Sequence, residues 1–372
     1  MSNNYPVVIY GASGYTGRQV AEYLRDYRVP FIAAGRSRAR LEEAMKAVPG
    51  IEDCQYEIVE VEHDVEALAK LFRGRRVVCN TVGPFARRAN TVIEAALKAG
   101  IHYLDTAGEQ IHVAKVRERW DADFRKAGLL VVPSMACMYS VSEISARYVM
   151  ETEGIDSLDM FMYGVAVPTQ NSAESIFDSL MRDKARYLVD NELVEYQDLD
   201  VQNVLLPSGA VVTGTHWGGT SNPIWFHGDP RVRNCKMTVA MSNPQLYKRV
   251  QELERAYKVQ LQWIPEEQLV PLMDKLAANM TPAMPPRESR HVHRTMDWTH
   301  GRGTNVAAKC TIYGVGGYLQ TACLQAYAAT RLARGHIDVA GFRSPCQAFG
   351  HRELHAALRT HGLSNLKVER IV

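Results

Sequence analysis

"VVIYGASGYTGRQVAEYL", residues 7–24, decides the fold. Four apolar residues, Val7–Tyr10, read as a buried strand. Gly11, Gly14 and Gly17 follow, and Val20, Ala21 and Leu24 then recur at helical spacing. Glycine suits such a junction because the backbone must turn tightly, approach a pyrophosphate closely and lay it on a helix N-terminus. A bare glycine pattern is a weak signal, and the strand before it and the helix after it give it weight.

Further along, strand and helix signals keep alternating. "PFIAAG" (Pro30–Gly35) reads as a second strand and Ala39–Val48 as a second helix, and "EIVEVE" ends near Asp64. "RVVCNTVG" ends at Gly83, "TVIEAALKAG" is a helix closed by Gly100, and "HYLDTAG" and "LLVVPS" are later strands. Repeated βα units of this length imply a doubly wound parallel sheet with helices on both faces. After about Ser142 the character changes. "DMFMYGV", "NVLLPSGAVVTGT" and "CKMTVAM" read as strands of an antiparallel sheet, while "NMTPAMPPRESRHVHRTMDW" (Asn279–Trp298) reads as a loop.

The totals narrow the function classes. Lys and Arg number 43 against 41 Asp and Glu, which leaves no overall field for gripping nucleic acid or an acidic membrane. The longest apolar stretch, "GLLVVPSMACMYSV", is interrupted by Pro133 and Ser134, so no integral membrane segment is expected. Seven cysteines at irregular spacing read as reduced thiols, and a cytoplasmic location is expected.

Residues past the second strand choose the nucleotide. A chain selecting NAD ordinarily carries an acid there, whereas this one reads "AAGRSRARL", with Arg36 at the strand end and Ser37, Arg38 and Arg40 behind it. A guanidinium presents forked donors suited to a 2′-phosphate, so the loop is expected to hold NADP(H). Thr81, Val82 and Gly83 of "CNTVGPF" should pass beside the ribose and nicotinamide. Asp64 is a candidate acceptor for the adenine amine and, equally, a helix cap.

"GASGYTGRQVAEYL", "NTVGPFARRANTVIEAALKAGIHYLDTAGE" and "GGYLQTACLQAYAATRLARG" together resemble the saccharopine dehydrogenase-like reductases, closest to the branch of the trans-acting enoyl reductases. The resemblance covers roughly the first third of the chain and its last helices. It implies a Rossmann domain from residues 1–142 plus 318–372, with an inserted α+β mixed-sheet domain over 143–317. It also carries cofactor contacts onto Gly11, Ser13, Gly14, Tyr15, Thr16, Arg36, Thr81, Gly83 and Pro84. Where many relatives have a Gly-Phe-Asp-Ser-Val-Pro-Ser-Asp turn, this chain has "SMACMYSVSEIS" (Ser134–Ser145).

That turn brings Tyr139 and Ser140 forward as substrate-facing residues, Tyr139 as a candidate proton donor. Asp105 and Glu109 read either as cofactor-edge acids or as helix caps and structural ion-pair partners. The aromatic stretch Thr215–Cys235 offers Trp217, Trp225 and Phe226 as pocket walls, with His216 and His227 as polar handles, or else forms an ordinary core. His291, His293 and His300 lack cysteine or acidic partners at ligand spacing, so no metal is expected. The resulting expectation is a homodimeric NADPH-dependent reductase of a carbon–carbon double bond next to a carbonyl, acting on a bulky apolar small molecule. An imine or ketone oxidoreductase and a non-catalytic NADP-binding sensor or scaffold are the alternatives.

Overall fold

The computed structural model describes residues 5–165, 167–182, 184–198, 200–281, 284–335 and 337–370. Six strands open the chain: β1 (Val7–Tyr10), β2 (Phe31–Gly35), β3 (Tyr56–Glu60), β4 (Val77–Asn80), β5 (His102–Asp105) and β6 (Leu130–Val132). β1, β2 and β4 are buried at every position, as a parallel sheet covered on both faces requires. All pair in parallel, in the order β6-β5-β4-β1-β2-β3, and a short strand at Gly341–Phe342 adds itself beside β6. The strand order therefore reverses between β1 and β4, where open α/β sheets form their ligand crevice.

Helices α1 (Tyr15–Asp26), α2 (Arg38–Lys46), α3 (Val65–Phe72), α4 (Phe85–Ala99), α5 (Gln110–Lys126) and α6 (Cys137–Val149) follow the strands in turn. Each of α1, α3 and α4 turns an apolar stripe inward, such as Val20, Ala21 and Leu24 of α1. The first of two compact units comprises residues up to 107, 112–140 and 318–362. The helix Gly317–Ala333 is buried on several faces, and its Gln325 Nε2 donates to the Asp105 carbonyl at 2.7 Å.

The second unit comprises residues 108–111, 141–317 and 363–372. Its strands are β7 (Ser157–Gly164), β8 (Arg186–Val189), β9 (Glu192–Glu195), β10 (Gln202–Leu205), β11 (Val211–Gly214), β12 (Asn234–Met241), β13 (Arg294–Arg302) and β14 (Ala307–Val315), and a last strand covers Ser364–Arg370. Seven of these form a mixed sheet in the order last strand-β14-β13-β7-β12-β8-β9. One face of this sheet receives Val149 of α6, packed so closely that a Cβ on Gly301 would lie 2.1 Å from it. On the other face Phe161, Ala240 and Met296 meet Leu206, with Val204 and Val212 of the β10–β11 ribbon packed alongside.

Four expectations change here. β7 and β12 run parallel, joined through a long connection, and "NVLLPSGAVVTGT" folds back on itself as the β10–β11 hairpin. The segment read as a loop up to Trp298 becomes strand at Arg294, because alternation of buried Thr295, Asp297 and Thr299 outweighs its charges; Pro282 and Ala283 lie outside the described residues. The "SMACMYS" turn closes early and α6 starts at Cys137. Residues past 362, expected in the Rossmann domain, pair instead with β14, where Leu366 stands opposite Ile312.

Candidate dinucleotide site

The glycine loop meets the demands of a phosphate cradle. Gly11 has φ +91°, and a Cβ there would lie 2.7 Å from Thr81 Oγ1 and from Val82 Cγ2. A Cβ on Gly17 would stand 2.4 Å from the Gly11 carbonyl oxygen, so α1 presses directly on the loop. Gly14 is the N-cap of α1 and supplies no side-chain cap, which leaves that helix end open to an anion. Ser13 accepts from Arg18 Nε at 3.3 Å through its carbonyl, and Tyr15 packs edge-on against Tyr318 at 4.9 Å. Thr16 is the second residue of the same helix. The residues present fit a dinucleotide.

Across the crevice, Thr81 Oγ1 donates to the loop at the Tyr10 and Gly11 carbonyls, 3.0 and 3.2 Å away. The Val82 amide donates to Asn80 Oδ1 at 3.0 Å, and Gly83 leads through a cis peptide into Pro84, the N-cap of α4. Arg36 is exposed at the end of β2 and has neither hydrogen bond nor ion pair among the described residues. Ser37 caps α2, accepting from the Arg40 amide, while Arg38 pairs with Glu42 at 3.1 Å. Asp64 Oδ1 accepts from the Glu66 and Ala67 amides at 2.9 and 3.0 Å, so the cap is the role its geometry displays.

Sequence reasoning missed the network that holds this edge. Asp105 is fully buried at the end of β5; the Ala107 and Ser134 amides donate to Oδ1, while Tyr103 Oη and His112 Nε2 meet Oδ2 at 2.9 and 2.8 Å. Asn80 Nδ2 donates to the same Tyr103 oxygen at 3.0 Å. One carboxylate thereby ties the ends of β4, β5 and β6 together. The signal was the polar residue closing each apolar strand, Asn80 after "VVC" and Asp105 after "HYL". Nothing local announces His112, whose meaning comes from its partner.

Tyr139 and Ser140 sit in the first turn of α6, within the first unit; both are buried, and Ser140 Oγ donates to the Ser134 carbonyl at 3.3 Å. His216, Trp217 and Trp225 belong to the second unit and are buried. His216 is no open polar handle: Nε2 lies 3.1 Å from the Asp198 carbonyl, Nδ1 accepts from the Gly218 amide, and the ring stacks on Tyr196. Burial, then Lys258, pushes its pKa down to about 4. Glu109 accepts from the Gly108 amide at 2.8 Å.

Two family models match the chain, and they change over between residues 132 and 140. Residues 7–132 match the family described as the saccharopine dehydrogenase NADP binding domain. The lipid droplet localized protein of Caenorhabditis elegans is 30% identical over 138 residues, 35% of this chain and 32% of that protein. The trans-acting enoyl reductase of Mycobacterium leprae is 30% identical over 108 residues, 28% and 26% of the two chains. The chain thus spans about a third of the length of such curated relatives. Apo saccharopine dehydrogenase (L-Glu forming) from Saccharomyces cerevisiae superposes with a TM-score of 0.60 at 15% identity, covering 98% of this chain and 99% of that one, a likeness of fold. Residues 140–370, more than half of the chain, match the family of unknown function (DUF5938). The chain belongs to that family and carries, ahead of its characteristic region, an NADP-binding domain of the saccharopine dehydrogenase type.

Proposed function

We propose that the protein is an NADP(H)-dependent oxidoreductase that reduces a carbon–carbon double bond next to a carbonyl in an apolar small molecule. The observation that carries the first half is the glycine cradle at the sheet's reversal point, with Arg36 at the neighbouring strand end unpaired among the described residues. NADPH supplies a hydride when bound. The chain's own part is to hold the dinucleotide on Gly11–Gly17, to shape the ribose side with Thr81–Pro84, and to deliver a proton. Tyr139, just past the end of β6, is the proposed donor of that proton, through its hydroxyl.

The double-bond reading draws support from the partial similarity to the mycobacterial trans-acting enoyl reductase, whose name describes that protein. It also draws on the lack of an evident arginine pair for an amino-dicarboxylate in the sequence. The test is NADPH consumption with α,β-unsaturated ketones and acyl thioesters of increasing chain length, run against 2-oxo acids with an amine. Turnover confined to the second set would replace the reading by an imine reductase; NADPH binding without turnover of any substrate would leave a sensor. Tyr139→Phe should lower kcat by about 10²–10⁴ with NADPH affinity unchanged. A fall below about threefold removes Tyr139 from that role.

A further inference from the structure

The carboxyl ends of β1, β2 and β3 carry a cluster that the glycine loop does not explain. Tyr10 closes β1 and is buried, and its hydroxyl lies 2.9 Å from His63 Nδ1. The two rings stack at 6.0 Å with an interplanar angle of 10°. His63 follows β3, so the pair spans the end of β2, where Arg36 emerges. From the other side comes Arg88, in the first turn of α4, its amide donating to the Pro84 carbonyl at 3.1 Å. Both guanidinium charges act on both rings, and the Arg88 backbone also interacts with the imidazole.

Neither arginine has a carboxylate partner among the described residues. Among the described residues the Arg36 side chain makes no hydrogen bond, and the side-chain bond made by Arg88 runs from Nη1 to the Gly83 carbonyl at 3.1 Å. Glu62 is felt at Tyr10 but bridges neither cation. Two like charges that act on the same pair of rings with no counter-ion repel, and an anion between them relieves this. A phosphomonoester, with a charge of about −1.5 to −2 and three acceptor oxygens, matches two guanidinium forks.

We propose that Arg36 and Arg88 close on the 2′-phosphate of NADP(H) from two sides, with the Tyr10–His63 pair as the brace that positions Arg88. This rests on the NADP reading above. Burial first, then Arg88 and Arg36, hold the imidazole below its ordinary value, so the brace is neutral near pH 7. The groups facing it are Tyr10 from β1, Arg36 from β2 and Arg88 from α4, with Glu62 beside Tyr10. A dianion between the arginines offsets their effect, so filling the clamp raises the His63 pKa.

Adenosine 2′,5′-bisphosphate and AMP serve as probes, titrated calorimetrically against the full chain. Arg88→Ala should weaken the bisphosphate by about tenfold to a hundredfold while leaving AMP within about threefold, and Arg88→Lys should recover part of the loss. His63→Gln should weaken the bisphosphate selectively as well. In proton NMR of the wild type, the bisphosphate should raise the His63 pKa and AMP should not. Equal affinity of the wild type for the two probes overturns the NADP reading and the clamp with it. A wild-type preference that survives Arg88→Ala overturns the clamp alone, as does an equal loss of both probes or an unmoved His63.

Discussion

Asp105 in the first unit and Asp297 in the second are both fully buried carboxyls on strands, and they are treated in opposite ways. Asp105 is met by four donors, from two loops, its own strand and a helix. Asp297 receives Ser142 Oγ at 2.5 Å on one oxygen, and its Oδ2 has no partner among the described residues. Around it stand further hydroxyls, Ser145 and Thr299, which bond to each other at 2.6 Å instead. Burial, opposed only by the Ser142 hydrogen bond, pushes the Asp297 pKa up to about 8. A buried carboxyl with a full set of donors can organise strand ends; one that is starved of them keeps its proton and becomes a cost.

The sharpest way to break this contrast is Asp105→Ala. It strands two amides, the Tyr103 hydroxyl and the His112 ring in a dry interior, and should cost about 3–5 kcal/mol of stability. Urea unfolding of the variant showing a loss under about 1 kcal/mol would mean that the network is ornamental.

Asp297→Asn should act in the other direction, stabilising the protein at pH 8 by up to about 5 kcal/mol, since the shift from 3.8 to about 8 is about four pKa units at about 1.4 kcal/mol each. The sign follows from proton counts. Between the ordinary carboxylate range and pH 8 the folded protein holds a proton on Asp297 that the unfolded chain has lost, so wild-type stability falls as pH rises through that window. Asparagine has no proton to lose and still accepts from Ser142. Unfolding midpoints at pH 5 and pH 8 should therefore show the variant's advantage growing with pH; an advantage independent of pH would place its cause elsewhere.

The smallest effect belongs to Gly17→Ala. Its Cβ would collide with the Gly11 carbonyl at 2.4 Å, an overpacking cost of about 2–3 kcal/mol offset by about 1 kcal/mol of helix propensity. A net loss near 1–2 kcal/mol should come with weakened NADP+ binding, because the loop itself must shift. Unchanged binding would show that the cradle tolerates the displacement.

Legibility followed the range of the interactions. Strand, glycine loop and helix lie in one short run, so residues 7–24 displayed the first unit's fold and its candidate phosphate loop together. Arg36 was readable because its place after the second strand has a rule attached. Arg88 and His63 carry no local mark; the pairing of β1 with β2 and β2 with β3 brings His63 to Tyr10, and that of β1 with β4 brings the start of α4 with Arg88. In the second unit, β7 pairs with strands far along the chain on both sides. One of those, β13, starts in a stretch whose arginines and histidines hide its alternation. The last strand was missed for the same reason, since Lys367 and Glu369 face outward at an edge.

The interruption of the first unit by the second has a consequence in time. During synthesis β1–β6 emerge early, yet the strand at Gly341–Phe342 and the helix Gly317–Ala333, whose Gln325 binds the Asp105 carbonyl, come only after the whole insert. At the usual rates of about 5–20 residues per second, β6 stands as a bare sheet edge for roughly 10–40 s while residues 133–340 are made. Its brevity, three residues, limits what a stray strand can gain by pairing there during that wait.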